Sequence, residues 1–180
     1  MFFQIMMIFH QNTKMFYILN FLPFYFWSKR VYVLTKNDHK NQIVILNKIQ
    51  LADYQISINK FWKKGIGESI AFGMREIMQK GNYEGLIISV ADQPFLTADI
   101  LKKLEKKIID RKIIIKSKYE KGSGPPVYFS KHFFEEIMKL TGDEGAKKLI
   151  KKYGDKVVHI DFFKGNIDVD REEDLEMYWS

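Results

Sequence analysis

Three carboxylates in this 180-residue chain stand where chemistry could be done: Asp92, Asp168 and Asp170. Asp92 closes the apolar run Leu86-Ile-Ile-Ser-Val-Ala-Asp92-Gln-Pro94. Asp168-Val-Asp170 leads into Arg171-Glu-Glu173. Two carboxylates from separate segments can hold a hard cation such as Mg2+, which keeps several waters and completes its shell with phosphates. The plainer alternatives are structural. Asp92 could cap a strand-end turn, and Asp170 with Glu173 has the spacing of a helix capping box. Gly65-Ile-Gly67 stands before a helix, whose N-terminus can attract an anion. As a dinucleotide fingerprint it is poor, because Ile70 takes the third glycine position and Phe61-Trp-Lys-Lys64 is not a buried strand. No Walker-type Gly-Lys-Ser/Thr sequence and no Gly-x-Ser-x-Gly elbow is present. His10, His39, His132 and His159 lack metal-ligand spacing, and His159 reads as a structural residue of an apolar strand.

The elements that must position these residues can be read from periodicity. Residues 86–91 are apolar except for Ser89, lie between Gly85 and Pro94, and are too few for a globular helix. They read as a strand buried on both faces, as in a parallel sheet. In such sheets ligands bind beyond the carboxyl ends of the strands, which is where Asp92 falls. Further strands are expected at 31–35, 54–58, 112–117, 127–129 and 157–160, while 43–46 fits either strand or helix. A helix is expected over 68–79, with Ile70, Met74, Ile77 and Met78 on one stripe and Ser69 as its cap. Thr97 and Ser130 open two more helices, and 142–145 opens another. Residues 121–126 read as a turn-rich loop. Strands alternating with helices predict an α/β fold with a mainly parallel sheet and helices on both faces.

Composition narrows the function classes. Hydrophobic residues make up 46% of the chain and charged residues 28%, which is ordinary for a globular domain and argues against disorder. The chain has no cysteine, so disulfides and thiolate chemistry are excluded. This fits a reducing compartment, and a cytoplasmic location is the expectation. The net charge of +7 comes from lysines spread along helix faces, so a solvated surface accounts for it better than nucleic acid does. Residues 1–30 form an atypical segment rich in Phe, Met, Ile and Tyr. No run approaches the ~18 apolar residues of a membrane span. The segment could be interfacial, a loose tail, or a strand or two of the sheet. The organisation expected is therefore residues 1–30 followed by one domain, 31–180.

Five pieces in order carry a family resemblance: Gly65-Ile-Gly-Glu-Ser69-Ile-Ala-Phe-Gly73, Ile87-Ile-Ser-Val-Ala-Asp92-Gln-Pro94, Gly124-Pro-Pro-Val-Tyr-Phe129, Gly142-Asp-Glu-Gly-Ala146 and Asp168-Val-Asp170-Arg-Glu-Glu-Asp-Leu175. Together they resemble the MobA-like nucleotidyltransferases, and within them the molybdenum cofactor cytidylyltransferases. The resemblance implies a three-layer α/β/α, Rossmann-like fold of the nucleotide-diphospho-sugar transferase type. It implies Mg2+-dependent transfer of CMP or GMP from CTP or GTP to a molybdopterin-type acceptor, with release of pyrophosphate. A molybdoenzyme is a further implied partner; nucleic acid and a membrane span are not. The implied catalytic residues are Asp92 and Asp170, and the implied metal ligands are Asp92, Asp168 and Asp170. Gly65, Gly67, Ser69 and Asp92 fall on the nucleotide-binding part. Gly124, Pro126, Gly142, Asp143 and Gly145 fall on the acceptor-binding part.

One departure qualifies what is expected. Such enzymes begin with a strand and a glycine-rich loop that wraps the triphosphate. The first glycine of this chain is Gly65, and nothing in residues 1–60 matches that loop. A phosphate cradle relies on close backbone N–H groups, usually through glycine. Impaired transfer is the consequence to expect. The alternatives are a non-catalytic, chaperone-like binder of the cofactor and a sugar-phosphate nucleotidyltransferase.

Overall fold

A computed structural model describes residues 3–8, 31–35, 54–90, 92–109 and 112–168. Seven strands form one sheet: β1 (Phe3–Ile8), β2 (Val31–Thr35), β3 (Tyr54–Ile58), β4 (Gly85–Val90), β5 (Ile114–Lys118), β6 (Ser123–Ser130) and β7 (Val157–Asp161). Their spatial order is β3-β2-β1-β4-β6-β5-β7. All neighbours are parallel except β6, which runs antiparallel to both β4 and β5. The mainly parallel α/β sheet is the one the alternation of elements predicts. Of the three readings open for residues 1–30, residues 3–8 take the strand. β1 lies inside the sheet, with Ile5 opposite Val31 of β2 and Ile87 of β4. Residues 43–46 and Asp170 lie outside the described residues.

β4 is buried from Gly85 to Ser89, as its apolar run requires. Leu86 and Ile88 face helix α1 (Ile66–Met78), which supplies Ile70, Ala71, Met74 and Ile77 to a core shared with Val127, Phe129, Phe133 and Phe134. Each such side chain contributes about 1.5–3 kcal/mol when fully buried. By strand alternation Ile87, Ile115 and Tyr128 point to the opposite face, and all three are buried. Helix α2 (Ala98–Lys106) buries Leu101 and Leu104, which lie outside the first core. Short helices α3 (Phe134–Ile137) and α4 (Lys147–Lys152) complete the described layers. Among the described residues no helix is long and apolar enough to cross a membrane.

Several local expectations change. Helix α1 starts at Ile66, with Gly65 as its N-cap at φ +98°, so Ser69 sits inside the helix and does not cap it. Thr97 and Ser130 occupy N-cap positions without a side-chain cap bond. Ser130 Oγ instead accepts from the Ile113 N–H. His159 lies in strand β7, as expected, and is exposed there. The loop expected at 121–126 is strand in its last four residues, because β6 already begins at Ser123. Prolines lack the N–H that a ladder needs. The sheet accommodates them where the β5–β6 register slips between Lys116 and Ser117, so that Val127 and Gly124 are paired and Pro125 and Pro126 are passed over. The Ser117 hydroxyl donates to the Pro126 carbonyl at 2.8 Å in place of a ladder bond.

Gly85 shows how tightly β4 is held. A Cβ there would lie 2.2 Å from Tyr128 Cε2 and 2.4 Å from its Oη. Tyr128 is fully buried, so its ring has nowhere to retreat. Gly85→Ala is therefore expected to cost at least about 1–3 kcal/mol through overpacking, read as a lower midpoint in urea denaturation. An unchanged midpoint would show that β6 shifts to make room.

Candidate functional site

The strand ends decide where the candidate residues meet. β4 and β7 run toward the same sheet edge as β5, and antiparallel β6 begins there, with Lys118 opposite both Ser123 and Asp161. The residues that follow β4, β5 and β7, and those that open β6, therefore converge. In an α/β sheet this carboxyl edge is the usual ligand side.

Tyr119, the residue after β5, joins these ends. Gln93 Nε2 donates to Tyr119 Oη at 2.9 Å and to the Gly165 carbonyl at 2.6 Å. The Tyr119 hydroxyl donates in turn to the Pro125 carbonyl. The ring fits where two glycines leave space. A Cβ at Gly165 would lie 2.2 Å from Tyr119 Cε1, and one at Gly124 would lie 2.5 Å from Oη. Phe162 packs edge-on against the ring at 5.9 Å. The Tyr119 pKa is pushed well above its ordinary value, first by burial and then by the negative charges of Asp168 and Asp92, with the Gln93 hydrogen bond opposing them. Tyr119 is thus a neutral hydroxyl at physiological pH. Both carboxylates act on this one group, and such influence fades with distance, so Asp92 and Asp168 share a neighbourhood.

The donor set fits a hard divalent cation. Asp92 is half-buried with Oδ1 shut off from solvent, and Asp168 is exposed. Carboxylate oxygens are what Mg2+ or Mn2+ takes, the rest of the shell being water and phosphate. Among the described residues no group of three or more metal-type side chains forms.

A second cluster joins the two glycine-bearing segments expected to serve nucleotide and acceptor. The Gly67 N–H donates to the Gly142 carbonyl at 2.8 Å. A Cβ at Gly65 would lie 2.5 Å from Asp143 Oδ1, and one at Gly145 would lie 2.8 Å from Ile66 Cγ2. Gly65, Gly142 and Gly145 all have positive φ, so glycine serves both the turn and the close approach. Ser69 donates its hydroxyl to the Gly65 carbonyl and accepts from Asn59 Nδ2 at 2.8 Å. Its polar capacity therefore goes largely to fixing the start of α1. One N–H of that helix terminus is occupied by Gly142, and Glu68 and Asp143 place negative charge beside it. This leaves a weaker anion site than the Gly65–Gly67 pattern suggests. Arg75 steadies the same helix, pairing with Glu68 at 2.8 Å and donating to the Met138 carbonyl.

Tyr119 and Gln93 are the members that residue types did not single out. The signal was indirect: an aromatic directly after a strand, followed by glycines at 122 and 124 and by a third at 165.

Comparison with known proteins places these features in a family. The model of the MobA-like NTP transferase domain matches residues 20–157. The purine catabolism protein PucB of Bacillus subtilis (strain 168) is 36% identical over 89 residues, which is 49% of this chain and 42% of PucB. The chain thus spans less than half the length of that curated relative. Among solved structures, the manganese complex of Rv0371c from Mycobacterium tuberculosis H37Rv is similar with a TM-score of 0.68 at 15% identity, covering 98% of this chain and 97% of the other. The 4-diphosphocytidyl-2C-methyl-D-erythritol synthase of Anaerococcus prevotii reaches 0.74 at 9% identity, covering 98% and 95%. At such identities the likeness is one of fold.

Proposed function

Because the chain belongs to the MobA-like NTP transferase family, we propose that it transfers CMP or GMP from CTP or GTP to a molybdopterin-type acceptor. An acceptor phosphate oxygen attacks the α-phosphorus, the α–β phosphoanhydride bond breaks, and pyrophosphate leaves. Such transfer depends on positioning and charge neutralisation more than on a covalent protein group. The observation that carries the proposal is the 2.6 Å bond from Gln93 to the Gly165 carbonyl, which ties the segment bearing Asp92 to the one leading into Asp168.

The roles follow from placement. Asp92 and Asp168, with Asp170 two residues after Asp168, would hold the divalent cation, Mg2+ in the cell, which would supply charge neutralisation at the phosphates. Gly124 and Pro126 present β6 to the acceptor, held by Ser117 and Tyr119. Gly65, Gly67 and Ser69 set the shape of the nucleotide side, and Gly142, Asp143 and Gly145 close it from the opposite segment. The work belongs in the cytoplasm, where nucleoside triphosphates are at hand.

Pyrophosphate release tests this directly. Release is expected only when CTP or GTP, Mg2+ and the phosphorylated pterin acceptor are all present. Release with a sugar phosphate instead would move the protein to that acceptor class. A second reading is favoured by one observation, the lack of any glycine before Gly65: the chain binds the acceptor and does not transfer. Acceptor binding without pyrophosphate release would select it.

A further inference from the structure

Four neighbouring strands deliver a segment each to the carboxyl edge, and one side chain ties them together. Asp92 and Gln93 follow β4, Pro125 lies in β6, Tyr119 follows β5, and Gly165 follows β7. The Tyr119 hydroxyl accepts from Gln93 and donates to Pro125, and the same Gln93 amide reaches Gly165. The two Gln93 links run between residues 26 and 72 positions apart in sequence, so no local turn can replace them. The register slip at Lys116/Ser117 passes over Pro125 and Pro126, so the extra residues of this bulge lie on β6, at the carbonyl that the Tyr119 hydroxyl holds.

We propose that Tyr119 is the positioning residue of the site, setting Asp92 and Asp168 relative to each other and both relative to Gly124–Pro126. The proposal rests on the reading that these carboxylates hold a divalent cation. Gln93 adjoins Asp92 and its amide nitrogen grips Gly165, three residues before Asp168. Tyr119 fixes the Gln93 end of that clamp and also holds the acceptor strand through Pro125. It acts by geometry, through its bonds to Gln93 and Pro125. Gln93 adds a further sign of a ligand nearby. It is 3% exposed, and its Oε1 has no hydrogen-bond partner among the described residues. A buried acceptor left in that state is costly unless something occupies it.

Tyr119→Phe isolates the claim, because the ring still fills the space over Gly124 and Gly165 and only the hydroxyl bonds are lost. Mn2+ titration, followed by the electron paramagnetic resonance signal of free ion, reads the carboxylates without any turnover. The expected result is an affinity about tenfold weaker in Tyr119→Phe, in the range seen when groups that orient metal ligands are removed. Its circular dichroism without metal should match that of the unaltered chain. A purely structural tyrosine would lower the melting temperature and leave Mn2+ affinity of the folded protein unchanged, and that outcome overturns the proposal. Should Tyr119→Phe not fold, Gln93→Met removes the other half of the clamp and is expected to show the same loss. Failure of both to fold makes the hub a core element and overturns the positioning role. If the unaltered chain takes up no Mn2+, the cation reading itself falls, and the part assigned to Tyr119 falls with it.

Discussion

Asp92→Ala is expected to lower metal-dependent pyrophosphate release by roughly 100-fold or more, since losing a ligand that helps neutralise phosphate charge costs several kcal/mol of transition-state stabilisation. The fold should survive. Asp92 follows β4 and contributes nothing to the apolar core, which is built from Leu86, Ile88 and their partners on α1 and β6. Removing its charge also relieves one of the two negative neighbours that act on Tyr119. Loss of turnover with an unchanged melting temperature therefore separates a chemical role from a structural one. Unaltered release would remove Asp92 from the reaction. Loss of folding would assign it to the turn that Gln93 and Pro94 complete.

Removing residues 1–8 is expected to leave no soluble, folded protein. β1 lies inside the sheet, and deleting it parts β2 and β3 from β4 and everything beyond. It matches four residues of β2 and six of β4 in register. A backbone hydrogen bond is worth about 0.5–1.5 kcal/mol net, and a whole domain is stable by only about 5–15 kcal/mol. Loss of both ladders, with the flanking β2 and β4 edges left open, exceeds that margin. The checks are the soluble fraction on expression and the far-ultraviolet circular dichroism of whatever remains soluble. A shortened chain that stays soluble with native strand content would show that β2 and β4 close the gap directly.

The sequence made the scaffold legible wherever a pattern was local. The run 85–91 could only be a buried strand, and α1 showed its core stripe at Ile70, Met74 and Ile77. β1 was less readable, because the segment around it is dense in Phe, Met, Ile and Tyr on both sides of His10-Gln-Asn-Thr-Lys14, a pattern that suits a tail or an interfacial segment as well as a strand. Gly124–Pro126 misled for a physical reason. Its residues are turn formers, and it joins a strand only because the register against β5 passes over Pro125 and Pro126. Ser69 misled likewise, since the true start of α1 is fixed by Gly65 and by a carbonyl from Gly142 far along the chain. In the candidate site, Asp92 and Asp168 could be named from residue type and strand-end position. Tyr119 could not, because its importance lies in bonds to Gln93 and Pro125 and in the space left by Gly165, all of which exist only once four strands are aligned.

The most direct test of the central claim is calorimetric titration of CTP and GTP into the unaltered chain, with Mg2+ and again after chelation. Saturable binding of one triphosphate that requires Mg2+ is the expected result, because Asp92 and Asp168 would hold the phosphates through the ion. Absence of binding under both conditions, or binding indifferent to Mg2+, would contradict it.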